Sequence, residues 1–383
     1  MSGIMLFDNA LAWLAEPLPS DVRQSLSRLA LAEDVRRIAV MPDVHLSDDV
    51  CVGVALATTG TIYPAAIGSD IGCGMLAIGL DADAELLGSE QNAAQLLEDL
   101  YRTIPSLKHR QATAPPALSE SLRDLPLSDG KLEKLANRDG RLQMGTLGRG
   151  NHFLEFQADQ QNRMWLMLHS GSRGMGQAIT AHHLRKANAP KSHGRLLSFE
   201  ADSRLGRDYL IDVAWGVRYA EENRLAMLNA VADVVRSRFV VEVLRETLID
   251  ANHNHVRQEV QGGETFWIHR KGALPAALEE KGVIPGSMGA CSFHVSGRGS
   301  AEALWSSSHG AGRRLSRTEA AARISTRQFE RELQGVWYDY RLAARLRDEA
   351  PSAYKDIRAV MKAQRQLTRI DRELRPLLSY KGT

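Results

Sequence analysis

The chain has 383 residues, 44% of them hydrophobic and 25% charged, which is enough to bury one large core or two ordinary ones. No run approaches the about 18 apolar residues that a membrane span needs, and the N-terminal MSGIMLFDNALAWLAEPLPSD carries acids where a signal peptide carries positive charge, so a cytoplasmic protein is expected. Three scattered cysteines, Cys51, Cys73 and Cys291, are too few for a disulfide framework, so any cysteine that matters acts as a thiolate.

Ser20 and Asp21 are able to cap a helix through about Arg37, followed by IAVMPDVH as a strand running into a loop. VCVGVALATTGTIYPAAIG and MLAIGL read as strands around turns, which leaves the dense GSDIGCG, with Asp70 and Cys73, on a loop between strands. Residues 89–104 and 117–138 pattern as amphipathic helices. From 141 onward, RLQMGTLGRGNHFLEFQ and NRMWLMLHSGSRGMGQ each place a histidine where an apolar strand meets a glycine-rich turn, which points to one shared sheet edge. A long helix is expected over roughly 206–250, its apolar row interrupted at Arg224. FWIHRKGA, VIPGSMGACSFHVSG and SSSHGAGRR again alternate strand-like runs with small-residue turns, and the last seventy residues read as helical, broken at Pro351 and Pro376. With no repeat and no linker, the expected fold is α+β: one domain over 1–383, mixed sheets around a central cleft with helices outside, and a basic helical segment at 313–383. That segment holds 17 Lys and Arg against 9 Asp and Glu, although the whole chain is only +2. Such a bias suits a polyanion such as nucleic acid, and equally suits the solvated faces of arginine-rich helices.

The twelve histidines are unevenly placed. His45, His152, His169, His253, His269 and His309 lie in short motifs rich in Gly, Ser, Asn or Asp, whereas His109, His182, His183 and His193 lie in charged, surface-like stretches. His152, His169 and His253 with Asp70 and Cys73 offer imidazole, carboxylate and thiolate, a donor set for Mn, Fe, Co or Zn in which the thiolate could bridge two ions. Paired ions could clamp a phosphoryl group, but zinc with a water nucleophile fits the same donors, so the cluster alone does not choose a reaction. PGSMGACS and HGAGRR are loops whose backbone N–H groups could converge on oxyanions, with Arg313 and Arg314 at hand. His309, between SSS and GAG, has no bulky neighbours in sequence and suits either an in-line nucleophile or the cap of a turn.

Taken together, MPDVH (41–45), GSDIGCGM (68–75), GTLGRGNHFLEF (145–156), MLHSGSRGMG (167–176), HN (253–254), HRKGA (269–273), PGSMG (285–289), SHGAGR (308–313) and APSAYKDI (350–357) occur in the order seen in the RtcB family of RNA ligases, which the chain resembles from about residue 38 to the terminal YKG. The resemblance implies a ligase that uses GTP and two Mn²⁺ ions to join an RNA 3′-phosphate or 2′,3′-cyclic phosphate to a 5′-hydroxyl. Asp70, Cys73, His152, His169 and His253 match the family's metal ligands, with Cys73 as the bridge. Asn151, His152, Phe153, Leu154, Glu155, His253, Asn254, Pro285, Gly286, Ser287, Met288, Ser292, His309, Gly310, Ala311, Gly312 and Lys381 match its guanine-nucleotide contacts, and His309 its guanylylated histidine. By this resemblance His309 attacks GTP, GMP passes to the RNA 3′-phosphate, and the 5′-hydroxyl displaces it; a neutral imidazole is required, so the first step fails in acid. Arg173 is a candidate RNA or phosphate contact. After MPDVH the chain continues LSDDVCVG where many family members carry a Gly/Lys stretch, placing Asp48 and Asp49 near the expected RNA path. The implied role is repair of broken tRNA or ribosomal RNA by a monomer, with an activating protein as a candidate partner and no membrane. Two rivals differ in outcome: a metal-dependent phosphodiesterase or cyclic-phosphate hydrolase forms no histidine adduct, and a noncatalytic RNA-damage-binding protein joins nothing.

Overall fold

The computed structural model describes residues 3–187 and 196–382, so His193 lies outside the described residues. The fold is α+β, built on two large sheets. A six-stranded sheet runs in the order β1 (Ile4–Phe7), β2 (Ala10–Ala12), β3 (Arg37–His45), β4 (Val52–Thr58), β12 (Glu264–Lys271), β11 (Asn254–Gln261). A seven-stranded sheet runs β10 (Val243–Asn252), β6 (Gly74–Asp83), β8 (Arg163–Ser170), β7 (Phe153–Ala158), β17 (Thr368–Lys381), β15 (Ser292–Gly297), β14 (Lys281–Ile284). Two short ribbons pair β13 (Ala273–Pro275) with β16 (Ser306–Ser308) and β5 (Thr61–Ile62) with β9 (Phe199–Glu200). The large sheets meet at one residue: Asn252 ends β10 at one sheet edge, Asn254 opens β11 at the other, and His253 stands between them.

Alternation along the strands sets the two faces of the seven-stranded sheet. Leu154 and Phe156 on β7, with Leu166 and Leu168 on β8, pack into a core closed by α2 (Glu90–Thr103) and α7 (Arg204–Phe239). The opposite face therefore carries Phe153, Glu155, Met167 and His169. Antiparallel pairing of β7 with β8 places Phe153 opposite His169, so His152 and His169 reach the same edge, as their positions at strand–turn junctions predict.

The helical expectations need trimming. The first helix, α1 (Ser20–Ala30), has Pro19 at its N-cap and stops after its buried row of Val22, Leu26 and Leu29, so that Arg37 opens β3. Residues 117–138 form only the fragments α3 (Glu120–Arg123) and α4 (Gly130–Leu135), with a π turn and α5 (Arg141–Gln143) beyond. After α6 (Arg173–Lys186), helix α7 ends at Phe239 because Val240 turns left-handed at φ 60°, and residues 243–252 are strand. The C-terminal segment is helical only in short pieces, among them α8 (Arg317–Arg323), α9 (Thr326–Glu332) and α10 (Ile357–Ala363), before the 14-residue β17 takes a central place between β15 and β7. Pro376 does not break a helix; it sits in β17 at a register shift against β7, where a missing N–H is tolerated.

Candidate active site

The GSDIGCG loop lies between β5 and β6 and is folded against α7. Gly72 has φ +70°, and a Cβ there would come within 2.7 Å of the Val217 Cα, so only glycine allows the loop this approach. Gly171 leaves the room that the Asp70 carboxylate occupies. Asn254 stitches the neighbourhood, donating through Nδ2 to the Asp70 carbonyl at 3.1 Å and accepting from the Gly272 N–H at 2.8 Å, while the Gly72 N–H donates to its carbonyl at 2.7 Å.

Four ligand-bearing segments converge here. Cys73 Sγ lies 3.2 Å from His169 Nε2 and 3.5 Å from His152 Nε2; His169 Nε2 lies 3.4 Å from His253 Nε2; His152 Nε2 lies 3.0 Å from Asp70 Oδ2. Cys73, His169 and His253 form one group able to hold a metal ion, and Asp70, Cys73 and His152 a second, with Cys73 shared. The tautomer of His169 supports this fit. Its Nδ1 faces the Asn151 carbonyl at 3.1 Å, which only accepts, so Nδ1 carries the proton and the lone pair of Nε2 points into the cluster. Burial, reinforced by neighbouring imidazoles, pushes His169 and His253 well below the usual histidine range and so keeps both neutral, as ligands must be. Without a cation, burial and the Asp70 carboxylate push the Cys73 thiol up. A cation would reverse that.

His309 follows β16 and borders the cluster, its ring centroid 4.7 Å from that of His253. Asp43, fully buried on β3, accepts from His309 Nδ1 at 2.7 Å and from its backbone N–H at 3.2 Å. The proton is thus held at Nδ1 and Nε2 is left with the free lone pair.

His309 opens onto a cavity of about 420 Å³. Asn151, Phe153, Glu155, Pro285, Gly286, Ser287, Met288, Ser292, Gly310, Ala311, Gly312 and Lys381 line it, as do His45, Ser47, Arg317, Glu349 and Tyr354, which the sequence reading had not placed there. Glu155 accepts from Gln157 Nε2 at 2.7 Å; burial lifts its carboxyl to about 8, against the pull of Gln157 and Lys381. Glu349 is the opposite case. Burial would raise it, but Lys381 at 2.6 Å, Arg317 at 2.5 Å and Arg313 at 3.7 Å hold it at about 2. His45 donates from Nδ1 to the Asp43 carbonyl at 2.9 Å, and burial lowers it to about 4.

Several expectations are corrected. Leu154 points into the hydrophobic core and does not line the cavity. Arg314 is exposed and paired with Glu16 at 2.9 Å, so that of the two neighbours only Arg313 joins Arg317 in lining the cavity. His182 and His183 are buried; His183 Nε2 lies 2.6 Å from Asp212. His269 is fully buried and accepts from the Tyr63 N–H, a structural role. Arg173 reaches inward, donating to His152 Nδ1 at 3.2 Å.

Residues 25–128 and 119–382 match the sequence profile described as "tRNA-splicing ligase RtcB". The chain belongs to the RtcB family. It is 37% identical to the Escherichia coli (strain K12) protein named RNA-splicing ligase RtcB, over 96% of this chain and 95% of that one. It is 30% identical to RNA-splicing ligase RtcB of Mycobacterium tuberculosis (91% and 97% covered) and 27% identical to tRNA-splicing ligase RtcB of Methanococcus maripaludis (91% and 88%). RtcB membership thus extends over nearly the whole chain. It includes every segment that converges on the cysteine–histidine cluster and the cavity. Among the described residues, no helix is long and apolar enough to cross a membrane.

Proposed function

We propose that this RtcB-family chain is a GTP- and Mn²⁺-dependent RNA ligase that joins 3′-phosphate or 2′,3′-cyclic-phosphate ends to 5′-hydroxyl ends through guanylylated His309, and that it repairs cleaved tRNA or ribosomal RNA. The observation that carries this reading is the position of His309: one ring nitrogen is tied to Asp43, the other keeps its lone pair, and the ring stands between the cavity and the cysteine–histidine cluster.

Asp43 holds the proton on Nδ1, so Nε2 attacks the α-phosphorus of GTP; a P–N bond forms, the α–β P–O bond breaks and pyrophosphate departs. An oxygen of the RNA 3′-phosphate then displaces the imidazole, which recovers its Nε2 lone pair as GMP moves to the RNA. The 5′-hydroxyl attacks the 3′-phosphorus, losing its proton, and GMP leaves. Two Mn²⁺ ions, one held by Cys73, His169 and His253 and the other by Asp70, Cys73 and His152, would stabilise charge on the phosphoryl oxygens. Glu155 suits the N–H donors of a guanine edge, and Ser287, whose buried hydroxyl has no hydrogen-bond partner among the described residues, suits a nucleotide oxygen or hydroxyl. Lys381, anchored on Glu349, sets a cation beside Glu155.

Radiolabelled GTP with Mn²⁺ tests the reading. The ligase is expected to acquire an acid-labile, alkali-stable label that His309→Ala loses, and to join RNA ends. A protein that opens cyclic phosphates without ever taking up label is instead a hydrolase.

A further inference from the structure

Helix α7 breaks its apolar row with two consecutive polar residues, Asn223 and Arg224, and both are fully buried. A guanidinium is costly to bury unless its donors are met, and those of Arg224 are met by backbone and side chains of the site. Its Nη1 donates to the carbonyl of Gly72 at 3.0 Å and of Ser170 at 3.1 Å; Nη2 donates to Asn252 Oδ1 at 2.7 Å, and Nε to Asp250 Oδ1 at 2.6 Å. Gly72 precedes Cys73, Ser170 follows His169 and Asn252 precedes His253. One side chain therefore touches a residue adjacent to each member of the first metal group.

Asn223 does the same for the segments on its other side. Its Oδ1 accepts from the N–H groups of Gly145 and Thr146 at 2.8 and 3.2 Å, and its Nδ2 donates to Thr146 O at 3.2 Å, Ser170 Oγ at 3.1 Å and Gly171 O at 3.4 Å. Thr146 opens the loop that leads to His152, and Arg173 links the Thr146 hydroxyl to the His152 ring. Gly171 borders the Asp70 carboxylate. The fit is tight: a Cβ on Gly74 would come within 2.6 Å of the Ala251 carbonyl and 3.0 Å of Arg224 Nη1.

We infer that Asn223 and Arg224 are positioning residues for the paired metal site, pinning its ligand-bearing segments to one rigid helix so that Cys73 faces both groups at once. This rests on the metal reading above. Two ions sharing one sulfur require all five donors to keep their places, and separate loops converging from β6, β7, β8 and β10 do not secure that by themselves. Lysine cannot replace the fork of Arg224, because one ammonium does not reach four diverging acceptors in a fixed plane.

The test is Co²⁺ binding to metal-free wild type, Arg224→Lys and Asn223→Ala, with Cys73→Ser as the reference for loss of a ligand. Stoichiometry is read by calorimetry and sulfur ligation by the thiolate-to-cobalt charge-transfer band, while circular dichroism of the metal-free proteins reports the fold. Wild type is expected to bind two ions with a strong band; each folded variant is expected to bind about 10- to 100-fold more weakly with a diminished band. Should Arg224→Lys not fold, Asn223→Ala decides, since it leaves the Arg224–Asp250 pair in place. A folded variant that binds Co²⁺ within twofold of wild type, with an unchanged band, overturns the positioning role. Wild type that binds no Co²⁺ overturns the metal reading itself.

Discussion

Asp43 lies fully buried beneath His309 and accepts two hydrogen bonds from it, so the imidazole has one reactive nitrogen and one orientation. Asp43→Asn keeps the shape but can present its amide to Nδ1 and so place the proton on Nε2. Guanylylation measured by label uptake is expected to fall by about 100-fold or more, with GTP binding nearly unchanged. Glu155 carries a pH prediction. Burial holds it near 8, so the nucleotide-free fold favours its protonated form; its contribution to stability is full below the unfolded value of 4.5 and declines as pH rises toward 8. A guanine edge needs the ionised form, so GTP affinity is expected to increase by up to about tenfold per pH unit below 8 and then level off. Glu155→Gln is expected to bind GTP weakly at every pH, and calorimetric titration across pH 6–9 checks the slope. The clustering of Asp70, Cys73, His152, His169 and His253 into groups able to hold a metal ion was legible in the sequence because Cys, His and Asp between glycines are rare outside sites. Asp43, Glu349 and Arg224 were not, because their partners lie far away in the chain and only the fold unites them.

Among the elements, those with short-range signals are the ones the sequence predicts well. The amphipathic α2 and the strand–turn junctions at His152 and His169 depend on patterns a few residues long. By contrast, β17 depends on neighbours about eighty and about two hundred and twenty residues away: TRIDRELRPLLSYK has charge density that suits a helix, yet it fills the gap between β15 and β7. Likewise the expected 206–250 helix ran on past Phe239 because VLRETLID carries no breaker; what fixes it as strand is pairing with β6. Leu378 shows the cost of misreading β17 as a surface helix. It is fully buried in the main core, so Leu378→Ala is expected to lower stability by about 2–5 kcal/mol in denaturant unfolding, where an exposed helical position would change little.

Across the whole molecule, the positive excess of residues 313–383 does not form a bare basic tail. Arg313, Arg317 and Lys381 converge on Glu349, Arg358 pairs with Glu373, and Arg369 with Glu279 and Asp371. Much of that charge is paired within the C-terminal segment itself, where the cluster around Glu349 shapes one wall of the cavity, while Arg369 with Glu279 and Arg314 with Glu16 tie the segment to the body. The two sheets, joined through His253, bring that wall, the metal donors and His309 to a common centre. Peptide mass spectrometry after incubation with GTP and Mn²⁺ tests this account most directly. The account predicts a GMP adduct on the peptide containing His309, fragmenting to that residue and absent when Mn²⁺ is omitted; GMP carried on a lysine, or no adduct while RNA ends are still joined, would contradict it.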